Sequence, residues 1–349
     1  PGDLETYTPD LLNRQTTRKF KQLLFQYGPM VEKDPDTAIR VLNRELGALK
    51  LSSGRRIVYA DRDALDRLTK FDTASASMQS DGIVGIPTGL KWFDDRGYGY
   101  NPGDFVVVMG PPNVGKSFLA LYMAAYAYNK GRKVLIFSPE MPADSQALRF
   151  DVLLANIRKV ELSARQLQTG QEDRAKYEKW LTSLQNRSDM IIIDSSDSGR
   201  PLTYQDIWSF TAEHRPDMIF IDGIHLLQGD DSGADGWKQI KDGTSYLKPM
   251  AIQTRTVIIG VHQGTRATAM PGAGPATMDQ TGYGFAISQI ADIMISLAYD
   301  DADQNQRRYQ LIKMRNTEVP TDPRYLVFNP NNGDIREIAE DTSKFGYEF

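Results

Sequence analysis

The stretch Gly110-Pro-Pro-Asn-Val-Gly-Lys-Ser117 has the spacing Gly-x-x-x-x-Gly-Lys-Ser. It follows a short apolar run, Phe105–Met109, and opens a segment of helical character, Ser117–Asn129. In this strand–loop–helix context the motif predicts a phosphate-binding loop, because its glycines let backbone N–H groups surround phosphate oxygens at the start of a helix. The sequence therefore predicts a site for a nucleoside triphosphate.

Two side chains of this loop have specific expected roles. Lys116 is expected to neutralise the β- and γ-phosphate oxygens, and the Ser117 hydroxyl to ligate Mg²⁺. The residues expected to contact the nucleotide are consecutive: Gly110, Pro111, Pro112, Asn113, Val114, Gly115, Lys116, Ser117 and Phe118.

Downstream of residue 83, short apolar runs rich in β-branched residues alternate with helical stretches. The expected strands are Phe105–Met109, Val134–Phe137, Met190–Ile193, Met218–Ile221, Val257–Val261 and Ile293–Leu297, with paired strands at Tyr309–Met314 and Tyr325–Phe328. Ser117–Asn129, Tyr204–His214 and Lys238–Thr254 are the expected covering helices. Runs this short and this apolar indicate strands buried on both faces of a parallel sheet. The pattern predicts an α/β domain with a mostly parallel twisted sheet, flanking helices and a β-rich C-terminal end.

The N-terminal part of the chain has a different pattern. Apolar residues recur at helical spacing over residues 1–71, which predicts a small helical region. Residues 72–82 are small and polar, as linkers are, so we expect a domain boundary there and the α/β domain over 83–349. Because the chain begins Pro1-Gly2 without methionine, we expect a processed or truncated piece.

Composition excludes several classes of protein. There is no cysteine among the 349 residues and only three histidines, which argues against disulfides, thiolate catalysis and a zinc site. No apolar run approaches the roughly 20 residues of a membrane span, so a soluble, cytoplasmic protein is expected. The net charge of −4 argues against a surface that coats nucleic acid, but not against a channel around it.

Polar residues follow several of the expected strands. Because ligands of open α/β sheets bind beyond the carboxyl ends of the strands, these residues are candidates for catalysis. Asp222 and Asp194 are competing candidates for the magnesium carboxylate, and Glu140 is either a water-activating carboxylate or a surface residue. Gln263 or His262 is either a sensor of the γ-phosphate or a polar residue on the surface.

Taken in order, the motifs resemble a known family. They are Ile86-Pro-Thr-Gly89, Pro102-Gly-Asp104, the phosphate loop, Phe137-Ser-Pro-Glu-Met141, Ile221-Asp222, His262-Gln263 and Lys313-Met-Arg-Asn316. The series is similar to the ATPase domain of DnaB-type replicative DNA helicases, the RecA-like hexameric ring helicases, which include phage enzymes. The resemblance covers roughly residues 83–338. It implies a RecA-like P-loop ATPase core, with ATP and Mg²⁺ as cofactors.

The resemblance also implies residue roles. Glu140 matches the glutamate that activates water, Asp222 the magnesium-site aspartate and Gln263 the γ-phosphate sensor. Lys313 and Arg315 match a pair that reaches the nucleotide of the neighbouring subunit, with the arginine as a finger. Two departures are Pro139, where the family usually has leucine, and Gly-Ile-His after Asp222, where it usually has Tyr-Leu-Gln.

The expected nucleic-acid contacts lie in two loops. Residues 264–284 are rich in Gly, Ala, Pro and Thr, and their expected DNA-binding members are Arg266, Gly282, Tyr283 and Gly284. The second loop, residues 229–236, is followed by Lys238 and Lys241 but has an acidic half.

The function implied is a homohexameric ring that moves on single-stranded DNA at a replication fork, with a primase, loader or polymerase as possible partners. Such a ring is expected in the cytoplasm of a bacterium, or of an infected host if phage-encoded. Two alternatives are a RecA-like recombination or annealing ATPase that forms filaments, and an ATP-gated assembly or loader factor that does not unwind DNA.

Overall fold

The computed structural model describes residues 63–338, apart from 186–188, 197–198, 229–235, 264–283, 301–302, 304, 316–317 and 321, together with scattered positions between 18 and 61. The chain divides into two compact units, Pro1–Thr73 and Ala74–Phe349. The second unit contains the sheet and the phosphate loop.

Nine strands of the described residues form one sheet. They are β1 Phe105–Gly110, β2 Val134–Phe137, β3 Met190–Ile193, β4 Met218–Ile221, β5 Val257–Gln263, β6 Ile293–Tyr299, β7 Gln306–Met314, β8 Arg324–Asn329 and β9 Asp334–Glu337. Their order across the sheet is β3-β2-β4-β5-β1-β6-β7-β8-β9. The neighbours from β3 to β6 pair in parallel, and those from β6 to β9 pair antiparallel. This confirms the predicted α/β fold with a mostly parallel sheet and a β-rich end.

The α-helices described from residue 66 onward precede or separate these strands along the chain. They are α1 Asp66–Asp81, α2 Lys91–Asp94, α3 Lys116–Asn129, α4 Ala143–Ile157, α5 Ala164–Thr169, α6 Arg174–Leu184, α7 Tyr204–His214, α8 Gly236–Thr254 and α9 Gly284–Ile290. Within the described parts of the chain, no helix is long and apolar enough to cross a membrane.

Strand β1 is buried on both faces because apolar side chains cover each side of the sheet. Val106 and Val108 belong to one apolar cluster, which includes helix α3, and Phe105 and Val107 belong to a second cluster. This alternation is the two-residue period of a strand between two layers. Each large apolar side chain buried in this way contributes roughly 1.5–3 kcal/mol to stability.

Strand β3 was expected to be fully buried, and the structure places it at an edge. Its four residues are only half-buried, because β2 is its single neighbour in the sheet. Strand β9 was not predicted, since its residues Asp334–Glu337 contain one apolar side chain, Ile335.

Residues 72–81, for which the composition led us to expect a linker, lie within helix α1. No proline or glycine interrupts residues 66–81, and the alanines and methionine favour helix, so small polar composition alone was misleading about local structure. Gly82 follows the helix with a φ of +70°. The division of the chain into domains stays a prediction, and the helices expected over residues 1–71 lie largely outside the described residues.

Because β1 to β6 run in parallel, their carboxyl ends share one edge of the sheet. The phosphate loop leaves β1 at this edge, and the segments that follow β2, β4 and β5 emerge beside it. The fold therefore brings together polar residues that are far apart in the sequence.

Candidate nucleotide site

The phosphate loop connects the buried strand β1 to the first turn of α3. Gly115 occupies the N-cap position with a φ of 104°, and no side chain among the described residues caps the first N–H groups of the helix. The N-terminal N–H groups of a helix have no partners inside it, and they carry partial positive charge. The loop is therefore a site for an anion such as a phosphate.

Neighbouring groups approach the loop closely at its two glycines. A Cβ on Gly110 would lie 2.3 Å from the carbonyl oxygen of Leu297, and a Cβ on Gly115 would lie 2.2 Å from a ring atom of Phe328. Asn113, with a φ of 60°, also has left-handed backbone. Both glycines are therefore required by close packing as well as by the turn.

Lys116 lies within the loop and is almost fully buried. Its Nζ donates a hydrogen bond of 2.6 Å to the carbonyl oxygen of Pro111. Burial lowers the pKa of Lys116 to about 8, although the charges of Glu140 and Asp222 act in the opposite direction. The ammonium is thus held near the space enclosed by the loop, where a phosphate would stabilise its charge.

Asp222 follows β4 directly, and 1% of its surface is exposed. Burial raises the pKa of Asp222 and Glu140 raises it further, whereas the side chains of Ser117 and Gln146 and the charge of Arg149 lower it. Within the described part of the chain, neither carboxylate oxygen accepts a hydrogen bond of good geometry.

A buried carboxylate without strong partners is costly unless a cation compensates it. Asp222 and the nearby Ser117 hydroxyl supply the oxygen ligands that Mg²⁺ prefers. These residues therefore fit a magnesium ion.

Glu140 is exposed in the turn after β2, near the same group of charges. Its negative charge acts on the pKa values of Lys116, Asp222, Arg149 and His225. The turn is held by the Ser138 hydroxyl, which donates a 2.7 Å hydrogen bond to the carbonyl of Met141. An exposed carboxylate at the mouth of a phosphate site is placed where it can accept a proton from water.

Helix α4 adds two residues that the sequence analysis missed. Gln146 is fully buried and lies beside Asp222. The guanidinium of Arg149 stacks 4.7 Å from the ring centroid of Phe118, and its charge acts on Asp222. The spacing of three residues puts both on one face of the helix, but nothing in the local sequence indicates that this face meets the site.

Strand β5 ends at the candidate sensor. Gln263 is exposed and lies opposite Gly110 in the register of β5 and β1. The preceding His262 is buried, and its ring meets that of His225 edge-on, with centroids 6.2 Å apart. Gln263 therefore emerges at the first glycine of the phosphate loop.

Asp194, the competing magnesium candidate, has a local role at the edge strand β3. It accepts hydrogen bonds from the Ala143 N–H at 2.6 Å and from the Ser196 hydroxyl at 2.8 Å. The Ala143 N–H bond, followed by the bonds from Ser196, lowers the pKa of Asp194. Its carboxylate thus binds the start of helix α4, and in the sheet order β2, β4 and β5 lie between its strand and β1.

Arg307, on β7, is another residue that the sequence analysis missed. Its Nε donates a 2.9 Å hydrogen bond to the carbonyl oxygen of Val114 in the phosphate loop. The guanidinium lies 4.7 Å from the ring centroid of Tyr299 and 5.0 Å from that of Phe328. Arg307 therefore supports the loop from the antiparallel part of the sheet.

Lys313 and Arg315 lie at the opposite edge of the sheet from the loop. Lys313 is paired with Met294 near the start of β6, and Met294 is paired with Val107 of β1. The backbone N–H of Arg315 bonds to the carbonyl of Asp292, the residue before β6. Along the strand direction, Arg315 is roughly 17 Å and Lys313 roughly 10 Å from the level of Gly110, and β6 lies between them and β1, so this pair does not join the site of its own chain.

Most of the expected DNA-binding residues lie outside the described residues. These are Arg266, Gly282 and Tyr283, together with nearly all of the second loop over 229–236. Gly284 is described and is the first residue of helix α9. The structure therefore leaves the expected DNA contacts as predictions.

Known proteins match this chain in sequence over most of the α/β domain. The family described as DnaB-like helicase C terminal domain matches residues 85–336. The chain is 26% identical over 270 residues to the replicative DNA helicase DnaB of Helicobacter pylori (strain J99), covering 76% of this chain and 55% of that protein. It is 30% identical to DnaB of Geobacillus stearothermophilus, covering 72% and 57%. The chain thus spans about half the length of the curated relatives it matches.

Two solved structures share the fold. One, described as an ATPase domain, superposes with a TM-score of 0.69 and 20% identity, covering 81% of this chain and all of that domain. A DnaB-like replicative helicase, described with its interactions with primase, superposes with a TM-score of 0.71 and 21% identity, covering 93% and 76%. Both similarities support a RecA-like ATPase fold.

Proposed function

The chain belongs to the family of DnaB-like helicase C-terminal domains, and on this premise we propose that it is the ATP-hydrolysing motor of a replicative DNA helicase. Six copies form a ring that moves along single-stranded DNA and displaces the complementary strand. Each nucleotide is bound at the phosphate loop of one subunit and is completed by the next subunit.

The observation that carries this proposal is the separation of two basic groups. Lys116 lies at the carboxyl edge of the sheet, whereas Lys313 and Arg315 lie near its amino edge. If Arg315 contacts a nucleotide, that nucleotide belongs to another subunit. A head-to-tail interface that places one edge against the other closes into a ring when the rotation permits it.

Within one subunit, the proposed roles follow the geometry. Lys116 and the N–H groups of Gly115 to Phe118 bind the phosphates, and Gln263 contacts the γ-phosphate. Glu140 accepts a proton from the attacking water. Ser117 and Asp222 hold magnesium, which supplies positive charge that offsets the charge of the phosphates when it is bound.

The DNA is proposed to lie in the central pore. Arg266, with the backbone N–H groups of Gly282 and Gly284, grips phosphates, and Tyr283 stacks on a base. Six copies of a few basic groups are enough to hold one strand, which accounts for a chain with a net charge of −4. We place the ring in the cytoplasm. A primase is a proposed partner, because one structural neighbour is described with its interactions with primase.

Hydrolysis and unwinding test this function directly. ATP hydrolysis is measured with and without a single-stranded oligonucleotide, and strand displacement is measured on a forked duplex, with Lys116→Ala as the inactive control. We expect hydrolysis to be stimulated by the oligonucleotide, in a salt-sensitive manner, and the fork to be unwound. An unchanged hydrolysis rate contradicts the pore, and filaments in electron micrographs without unwinding indicate a recombination ATPase instead.

A further inference from the structure

The side chain of Asp292 joins strand β1 to the proposed arginine finger. It precedes β6 at the amino edge of the sheet, and only 7% of it is exposed. Its Oδ2 accepts the N–H of Phe105 at 2.8 Å and the Nζ of Lys248 at 2.5 Å. Its Oδ1 lies 3.2 Å from the Nη1 of Arg315. One carboxylate therefore connects the rigid centre of the sheet to a side chain that is half exposed.

Two of these contacts immobilise the carboxylate. The Phe105 N–H belongs to the buried first residue of β1, and Lys248 is further fixed by a 2.8 Å hydrogen bond to the carbonyl of Gly103. Both contacts fall on Oδ2, so Oδ1 is directed toward Arg315. A carboxylate fixed at one oxygen orients whatever its other oxygen binds.

Contacts with described residues occupy few of the donors of Arg315. Its Nη2 is 3.5 Å from the carbonyl oxygen of Gln289, and 48% of its side chain is exposed. A guanidinium has five N–H donors, so the contacts to Asp292 and Gln289 occupy a minority of them. Among the described residues, nothing else occupies the rest of the fork, and its planar geometry suits a phosphate.

The positive charges near Asp292 outnumber the negative ones. Burial lowers the pKa of Lys313, and the nearby charges of Arg315 and Lys248 lower it further, with Asp292 acting against them. Lys313 itself donates a 2.5 Å hydrogen bond to the carbonyl of Ser288 at the end of α9. Because the charge of Asp104 also interacts with Asp292 and Lys248, three cations lie near two carboxylates, which leaves one excess positive charge that an anion would neutralise.

We propose that Asp292 is the positioning residue of Arg315, and that it orients the guanidinium toward the nucleotide of the neighbouring subunit. Lys248 and the Phe105 N–H hold Asp292 in place for this purpose. This inference rests on the proposed function, because it assumes that Arg315 acts between subunits. It assigns to Asp292 no contact with the nucleotide.

The first test separates turnover from nucleotide binding. In Asp292→Asn, the kcat of ATP hydrolysis should fall about tenfold or more, since a misplacement of a catalytic group by about 1 Å has effects of this size. The KM for ATP should stay within about twofold, because the phosphate loop of the same chain lies at the other edge of the sheet. Asp151→Asn is the matched control, since Asp151 is also a buried carboxylate, bonded to Tyr177 and Trp180. An unchanged kcat, or a raised KM with unchanged kcat, overturns the inference.

A second variant tests whether a lower kcat comes from reduced stability. Asp292→Asn leaves Lys248 without its carboxylate, so the double variant Asp292→Asn/Lys248→Met removes the unpaired cation as well. The double variant should regain stability in urea unfolding while its kcat stays low. Recovery of the wild-type kcat in the double variant shows that Arg315 does not need Asp292.

Mixed rings then locate the defect. Lys116→Ala subunits have no working phosphate loop but keep Arg315 and Asp292. Mixed in equal amounts with Arg315→Ala subunits, they create functional sites at about a quarter of the interfaces in a randomly assembled ring. Activity recovered with Arg315→Ala but not with Asp292→Asn overturns the inference, because Asp292 then acts on its own subunit's site. No recovery with Arg315→Ala contradicts the shared site of the proposed function itself, and recovery with both variants supports the two together.

Discussion

Gly115 lies directly against the ring of Phe328, so that a methyl group on its α-carbon would come within 2.2 Å of a ring atom. The φ of Gly115 is +104°, which side chains rarely adopt. The last glycine of the phosphate loop is therefore required by the turn and by a side chain of the antiparallel strands. This contact ties the shape of the loop to the packing of β8.

Gly115→Ala is expected to lower the affinity for ATP by on the order of tenfold or more, because the N–H groups that bind the phosphates move with the backbone. Equilibrium binding of a fluorescent ATP analogue measures this. The matched control is Gly131→Ala, which has a φ of +79° and nothing within 4 Å of the added methyl. It should cost about 1 kcal/mol of stability and leave affinity unchanged. Phe328→Leu should restore part of the affinity of Gly115→Ala, and no restoration would show that the ring contact is unimportant.

Replacement of Asp222 separates stability from activity. Because burial raises the pKa of Asp222, its charge opposes folding in the absence of magnesium. Asp222→Asn should therefore raise the free energy of unfolding of the nucleotide-free protein by about 1 kcal/mol, while ATP hydrolysis falls by at least about 100-fold. Urea unfolding and hydrolysis assays across magnesium concentrations measure the two effects.

Asp194→Asn distinguishes the two aspartates that the sequence left in competition. The carboxylate of Asp194 accepts the N–H of Ala143 at the start of α4, and its pKa is lowered by that bond first. Asn keeps one of the two oxygens that accept hydrogen bonds and loses the other, so the replacement should cost about 1 kcal/mol of stability and leave the magnesium dependence unchanged. If Asp194→Asn altered the magnesium dependence of hydrolysis and Asp222→Asn did not, Asp194 and not Asp222 would be the magnesium ligand.

Because the pKa of His225 is lowered in the folded protein, we expect the free energy of unfolding to depend on pH. Burial lowers the pKa of His225 below its ordinary 6.5, with Lys116 acting in the same direction and Glu140 against it. Below pH 6.5 the unfolded chain therefore binds a proton that the folded chain resists, so stability is lost as the pH falls from 6.5 toward the lowered value. Above this range the residue has no such effect.

His225→Gln removes this group while keeping a polar side chain. The stability of the wild-type protein relative to this variant should decrease between about pH 7 and about pH 5, as measured by urea unfolding at a series of pH values. His214→Gln is the control, because it removes a histidine at the end of helix α7. Parallel pH profiles for the wild type and His225→Gln would contradict the prediction.

The sequence predicted what short-range patterns determine. The strands Val134–Phe137 and Met218–Ile221 were predicted with their bounds, because apolar runs of that length are typical of buried parallel strands. The contacts of Asp292 and Arg307 were missed, since they join residues 187 and 193 positions apart. Such contacts depend on the order of strands, and no local pattern of apolar and polar residues specifies that order. The edge position of β3 was missed for the same reason.

Arg307 provides a test of how the antiparallel strands support the phosphate loop. Its Nε bonds to the Val114 carbonyl while its planar guanidinium packs between the rings of Tyr299 and Phe328. A lysine carries the same charge but has neither the planar group nor an Nε–H at that position. Arg307→Lys should therefore loosen the loop and weaken ATP binding about three- to tenfold, with a smaller effect on stability.

The neighbouring residue supplies the control for Arg307→Lys. Arg308 lies on the same strand with its side chain on the other face, and its Nε bonds to the Tyr299 carbonyl at 3.1 Å. Arg308→Lys makes the same chemical change on the other face of β7, so its affinity for ATP should equal that of the wild type. If both variants weaken ATP binding equally, the effect comes from β7 as a whole. If neither does, the phosphate loop holds its shape without Arg307, and close packing at Gly110 and Gly115 is sufficient.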